Sequence, residues 1–190
     1  MANALTTLRL ILAAPFAYLM LSEGPGHVVL AALTLAVGIV TDLLDGPVAR
    51  RRGTASPSGR AFDHAADFAF VASGLAAGAA RGAFPWILPL LVAAAFAQYV
   101  VDSYWIDRRT TLRPSRLGRY NGILYFAPLA GDILVRGGFR AVRPLLTVLV
   151  WVLVVSTAVS MSERFLASWR RREELPRRAT QKQHTDRRIP

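Results

Sequence analysis

Apolar residues along this chain come in long blocks rather than at the 3.6-residue period of an amphipathic helix or the two-residue period of a strand. The blocks cover residues 5–21, 27–40, 59–80, 84–105, 120–135 and 145–169, with polar or Gly- and Pro-containing segments between them. Blocks of this length, nearly free of charge, predict membrane-crossing helices. The fold class read from the pattern is all-α: a polytopic integral membrane protein with six transmembrane helices, a short cytoplasmic N-terminus and a basic cytoplasmic tail. Residues 1–169 form one membrane domain, and residues 170–190, charged and poor in apolar side chains, form a tail expected to be disordered. The first block is read as a retained helix and not a cleaved leader.

Within this frame the irregular positions matter. In the first block Asn3, Thr6 and Arg9 recur at every third residue along one side of the helix. On propensity alone Asn3 reads as an N-cap and Arg9 as a snorkelling side chain. The second block continues through Asp42 and Asp45 to Arg50, and Pro47 is expected to end or distort its helix. From His27 to Asp42 the rise is about 22 Å at about 1.5 Å per residue, so the aspartates reach the opposite membrane face. The fifth block is short and interrupted by Pro128 and Asp132. Gly74 and Gly78, four apart, suit close helix packing.

Charge sharpens the topology. The chain is 53% hydrophobic yet carries a net charge of +11. Its basic residues flank the apolar blocks, as the positive-inside rule requires, and this placement argues against a nucleic-acid partner. With the aspartate-bearing ends inside, every one of the 23 basic residues except Arg81, Arg136, Arg140 and Arg143 falls on the cytoplasmic side. Those four break the rule and imply a short fifth span or a partner of their own. There is no cysteine, which excludes disulfides and thiolate-bound metals.

The chemistry is concentrated in residues 42–67, which read D-x2-D-G-x2-A-R-x8-G-x3-D-x3-D: Asp42, Asp45, Gly46, Ala49, Arg50, Gly59, Asp63 and Asp67. Two neighbouring antiparallel helix ends each present a pair of aspartates. Carboxylates beside a membrane are costly unless neutralised, which makes them functional candidates. Four converging ones repel strongly, and hard divalent cations, Mg²⁺ or Mn²⁺, are the natural remedy. Two ions about 4 Å apart suit phosphoryl transfer. Arg50 is placed to hold a phosphate, and Gly46 and Gly59 permit close approach of a ligand.

The motif resembles that of the CDP-alcohol phosphotransferases, and six spans with both ends inside are similar to that family. The resemblance implies transfer of a phosphatidyl or other substituted phosphate group from a CDP-alcohol lipid, CDP-diacylglycerol foremost, to an acceptor alcohol with release of CMP, in phospholipid biosynthesis. It implies Asp42, Asp45, Asp63 and Asp67 as metal ligands, Asp67 also activating the acceptor hydroxyl, and Gly46, Ala49, Arg50 and Gly59 lining the CDP pocket. Asn3 and Thr6, in the N-x2-T-x2-R opening, join that pocket. It further implies a homodimer in the cell membrane, its active site facing the cytoplasm among membrane lipids. Arg108, Arg109, Arg113, Arg116 and Arg119 either bind a phosphorylated acceptor, such as glycerol 3-phosphate or inositol phosphate, or act as topology signals. An unphosphorylated acceptor or another CDP-linked donor stays open, since Asp63-His64-Ala65-Ala66-Asp67-Phe68 lacks the Pro and Lys of the glycerophosphate-using members. His64 reads as a neutral interfacial residue, with contact to the acceptor as the alternative, and Asn121 as a helix-end residue, with a polar contact as the alternative. A divalent-cation transporter is the competing class, but it leaves Gly46, Ala49, Arg50 and Gly59 without a role.

Overall fold

The computed structural model describes the backbone of residues 2–51, 57–101 and 116–186, and the side chains of residues 4–44, 59, 61–101 and 120–166. The described residues form helices without a strand: α1 Ala2–Leu21, α2 Pro25–Arg51, α3 Pro57–Ala80, α4 Ile87–Val101, α5 Arg116–Leu124, α6 Phe126–Arg136, a 3₁₀ turn Arg140–Val142, and α7 Arg143–Asp186. Three segments are long and apolar enough to cross a membrane, Ala4–Leu21, Pro25–Leu44 and Arg140–Leu166, and α4 is a shorter apolar helix.

α1 packs along both α2 and α3, and this trio carries the site. The core is aromatic. Phe16 of α1 stacks on Phe70 of α3 with ring centroids 4.6 Å apart, and Phe126 of α6 lies 6.5 Å from Phe70. Phe16 and Phe70 are fully buried, as are Met20, Leu75, Leu88 and Leu129. Glycines make room for these rings. A Cβ on Gly74 would stand 2.5 Å from the Phe16 ring, and one on Gly38 2.8 Å from Phe70. Gly74 and Gly78 thus receive aromatic rings, from Phe16 and Phe84, where close helix packing was expected. Outward from this core Ile11, Leu33, Leu43 and Leu145 are exposed, the surface of a bundle that has lipid for solvent.

α3 ends where Gly82 adopts φ 81°, a left-handed turn that lets Ala83 donate to the Gly78 carbonyl at 2.9 Å. Four boundaries differ from expectation. α2 stays helical through Pro47 to Arg51, because proline removes one backbone bond close to the helix end and the remaining turns carry the chain. The fifth span is broken at Tyr125 and not at Pro128, which sits in the first turn of α6 where a missing N–H has no partner to lose. Asn3 lies inside α1 and not ahead of it as a cap. α7 continues past the end of the sixth apolar block, at residue 169, to Asp186.

Candidate active site

At one end of the bundle, the start of α1, the far part of α2 and the start of α3 meet. α2 and α3 run antiparallel, so Asp42 near the end of one comes beside Asp63 and Asp67 in the first turns of the other. One carboxylate oxygen from each of the three lies within 4.8 Å of the other two. All three stay partly open, with 25–37% of each side chain accessible.

The buried wall behind them comes from α1. Arg9, fully buried, places Nη1 3.3 Å from Asp63 Oδ1 and 3.5 Å from Asp42 Oδ1, and the same nitrogen pairs with Asp67. Its Nε donates to Thr41 Oγ1 at 3.4 Å. Thr41 in turn bonds back to the Val37 and Gly38 carbonyls, each at 2.9 Å, which fixes its hydroxyl. Thr6, one turn before Arg9 and 3% exposed, donates to Asp63 Oδ1 at 3.4 Å. The i, i+3 spacing of Thr6 and Arg9 therefore aims both at the carboxylates.

Arg9 corrects the reading from propensity. It does not snorkel toward water; it points inward, because three carboxylates offer a buried guanidinium more than an interface does. The clue in the sequence was the polar stripe through an otherwise apolar helix. Thr41 was missed altogether; its position directly before Asp42 was the available signal. His64 meets Tyr99 of α4 in an edge-to-face ring contact at 5.9 Å. Tyr99 also carries the Arg164 guanidinium 5.4 Å over its ring, and Phe68 stacks on Phe96 at 4.1 Å, so α4 and α7 brace this end. Asn121 lies in the last turn of α5 and also makes a polar contact: it is 4% exposed and accepts from Ser156 of α7 at 2.9 Å.

Gly59 is half-buried in the first turn of α3. Asp45, Gly46, Ala49 and Arg50 lie on α2 backbone, Asn3 on α1 and Arg116 and Arg119 on α5, but their side chains fall outside the described residues. Arg108, Arg109 and Arg113 fall outside them entirely.

Three clustered oxygen donors with no nitrogen or sulfur among them suit a hard divalent cation. That a guanidinium is drawn among them shows the same demand for positive charge. The model of the CDP-alcohol phosphatidyltransferase family matches residues 1–159. The chain belongs to this family. It is accordingly a membrane-embedded transferase of phosphate-containing groups, working on a CDP-alcohol and an alcohol acceptor. Among curated proteins none matches the chain.

Proposed function

We propose that the protein moves a phosphatidyl group from a CDP-activated lipid, CDP-diacylglycerol in the first instance, to an acceptor alcohol at the cytoplasmic face, releasing CMP. The observation that carries this reading is the gathering of Asp42, Asp63 and Asp67 on two antiparallel helix ends, within one family motif.

Asp42, Asp63 and Asp67, joined by Asp45, hold the divalent ions, two of Mg²⁺ or Mn²⁺. Bound there, such ions neutralise the pyrophosphate and stabilise CMP as leaving group. The protein's own groups do the rest. Asp67 takes the proton of the acceptor hydroxyl. The hydroxyl oxygen forms a bond to the lipid-side phosphorus as the bond from that phosphorus to the CMP oxygen breaks, and CMP carries the electron pair away. Arg9 holds the aspartates in register by pairing with all three, while Thr6 orients Asp63. Gly46, Ala49, Arg50 and Gly59, with Asn3 and Thr6 near them, form the nucleotide pocket. Arg108, Arg109, Arg113, Arg116 and Arg119 receive a phosphorylated acceptor such as glycerol 3-phosphate or inositol phosphate. The working unit is a homodimer. A cation-transport role fits poorly, since a buried guanidinium amid the carboxylates opposes passage of a cation.

The test is CMP release by the purified protein from CDP-diacylglycerol, with a panel of phosphorylated and unphosphorylated acceptors and with Mg²⁺ or Mn²⁺ restored after chelation. Release that depends on both metal and one acceptor is expected. Release unaffected by chelation would remove the metal from the proposal, and no release with any acceptor would remove the donor.

A further inference from the structure

The four arginines that break the positive-inside rule gather at the other end of the bundle. From Arg9 to Leu21 α1 rises about 18 Å at about 1.5 Å per residue, so this end is remote from the aspartates. A cavity of about 220 Å³ opens there between the ends of α3 and α6 and the start of α7. Its charged lining is Arg81, Arg136, Arg143 and a single carboxylate, Asp132.

Two of the guanidiniums are fixed in place. Arg81 donates from Nε to the Met20 carbonyl at 3.0 Å and pairs through Nη2 with Asp132, which is only 3% exposed. Arg136 donates from Nη2 to the Leu19 carbonyl at 3.2 Å and to the Ser22 carbonyl. Both thus cap the last turn of α1, whose carbonyls lack helical partners. Arg143 is exposed and makes no ion pair among the described residues. It is also the first residue of α7, at the mouth of the cavity. Glu23 is exposed and does not line the cavity. The opposite wall is apolar, with Leu146 and Trp151. Two fixed guanidiniums and the exposed Arg143 outnumber Asp132 in the lining and Glu23 outside it, and this positive excess beside apolar side chains complements a phosphate joined to an apolar body.

We propose that this cavity is a phosphate-binding site, distinct from the aspartate cluster and on the opposite membrane face, for the phosphate of an anionic phospholipid headgroup or for free phosphate. The site explains why arginines stand on a face where the topology rule opposes them.

The experiment measures binding of phosphatidylglycerol to the full-length protein in neutral detergent, with phosphatidylcholine as control and inorganic phosphate as competitor. Phosphatidylglycerol is expected to bind more tightly than phosphatidylcholine. Arg143→Gln should weaken it about tenfold, the size of one charge-assisted hydrogen bond. Arg140→Gln, which removes a nearby exposed charge that does not line the cavity, should change it less than about twofold. Thr147→Phe, which fills the cavity without altering charge, should also weaken binding, and it decides the matter if Arg143→Gln melts abnormally. Displacement by millimolar phosphate assigns the site to free phosphate; resistance to it assigns the lipid. Equal binding of the two lipids, or equal weakening by Arg143→Gln and Arg140→Gln, overturns the proposal, because the attraction is then diffuse charge.

Discussion

The two ends of the bundle are built with opposite stoichiometry. Among the described residues, at one end a single buried guanidinium, Arg9, serves three carboxylates. At the other a single buried carboxylate, Asp132, sits among three guanidiniums. In each case the lone ion is the buried one and the surplus stays partly open. This follows from desolvation. A charge taken out of water must be paired, so the buried member is compensated several times over, while the excess charge stays where solvent or a ligand can reach it. One end is therefore left needing cations and the other needing anions, with α1 and α3 running from one to the other.

The largest expected effect breaks the acidic end. Asp67→Asn should lower CMP release about a thousandfold, the scale of general-base loss, with unchanged expression and elution. Near-normal turnover would mean that Asp67 does not handle the proton.

Next comes the lone ion of the basic end. Arg81→Gln leaves Asp132 buried without its main partner and should cost about 3 kcal/mol of stability. Adding Asp132→Asn should restore most of it, as read by thermal melting. If the double variant melts no higher than the single one, the pair is not what stabilises this end.

Its counterpart at the acidic end should matter less for folding. Arg9→Gln leaves carboxylates that are a quarter or more exposed, so about 2 kcal/mol is expected in chelator. That deficit should shrink in saturating Mg²⁺, because a bound cation supplies the charge that Arg9 supplied. A deficit independent of metal would show that Arg9 acts by packing alone.

The smallest effect lies in the shared middle. Gly74→Ala drives a Cβ against the Phe16 ring, which is itself stacked on Phe70 and cannot swing aside. About 1–2 kcal/mol of destabilisation should appear by thermal melting, with the metal requirement of the remaining activity unchanged. An altered metal requirement would mean that the two ends are coupled through this contact.

Much of this was legible along the chain. Long apolar blocks marked the helices because the hydrophobic requirement of a membrane span is local and continuous. The spacing from Asp42 to Asp67 marked the acidic site because its carboxylates lie on two successive helices joined by a short connection. Arg9 was misjudged for the complementary reason. Propensity weighs a side chain against water and its own helix, whereas its partners are 32 to 58 residues further on. The fifth span failed at its break point because Pro128 is a breaker only inside a helix, and the start of α6 places it in a first turn.

The sequence by itself determined the helical membrane architecture, the family and the acidic motif, since each is written in continuous apolar blocks and in local spacing. The tertiary structure alone decided which ions are buried and whom they serve. Arg9 and Arg81 look alike as isolated basic residues at helix ends. Packing brought one to three carboxylates and the other to a single aspartate beside two more arginines. Only that long-range meeting of charges separates a cation-seeking end from an anion-seeking one, because electrostatic demand is set by distance and burial and not by order along the chain.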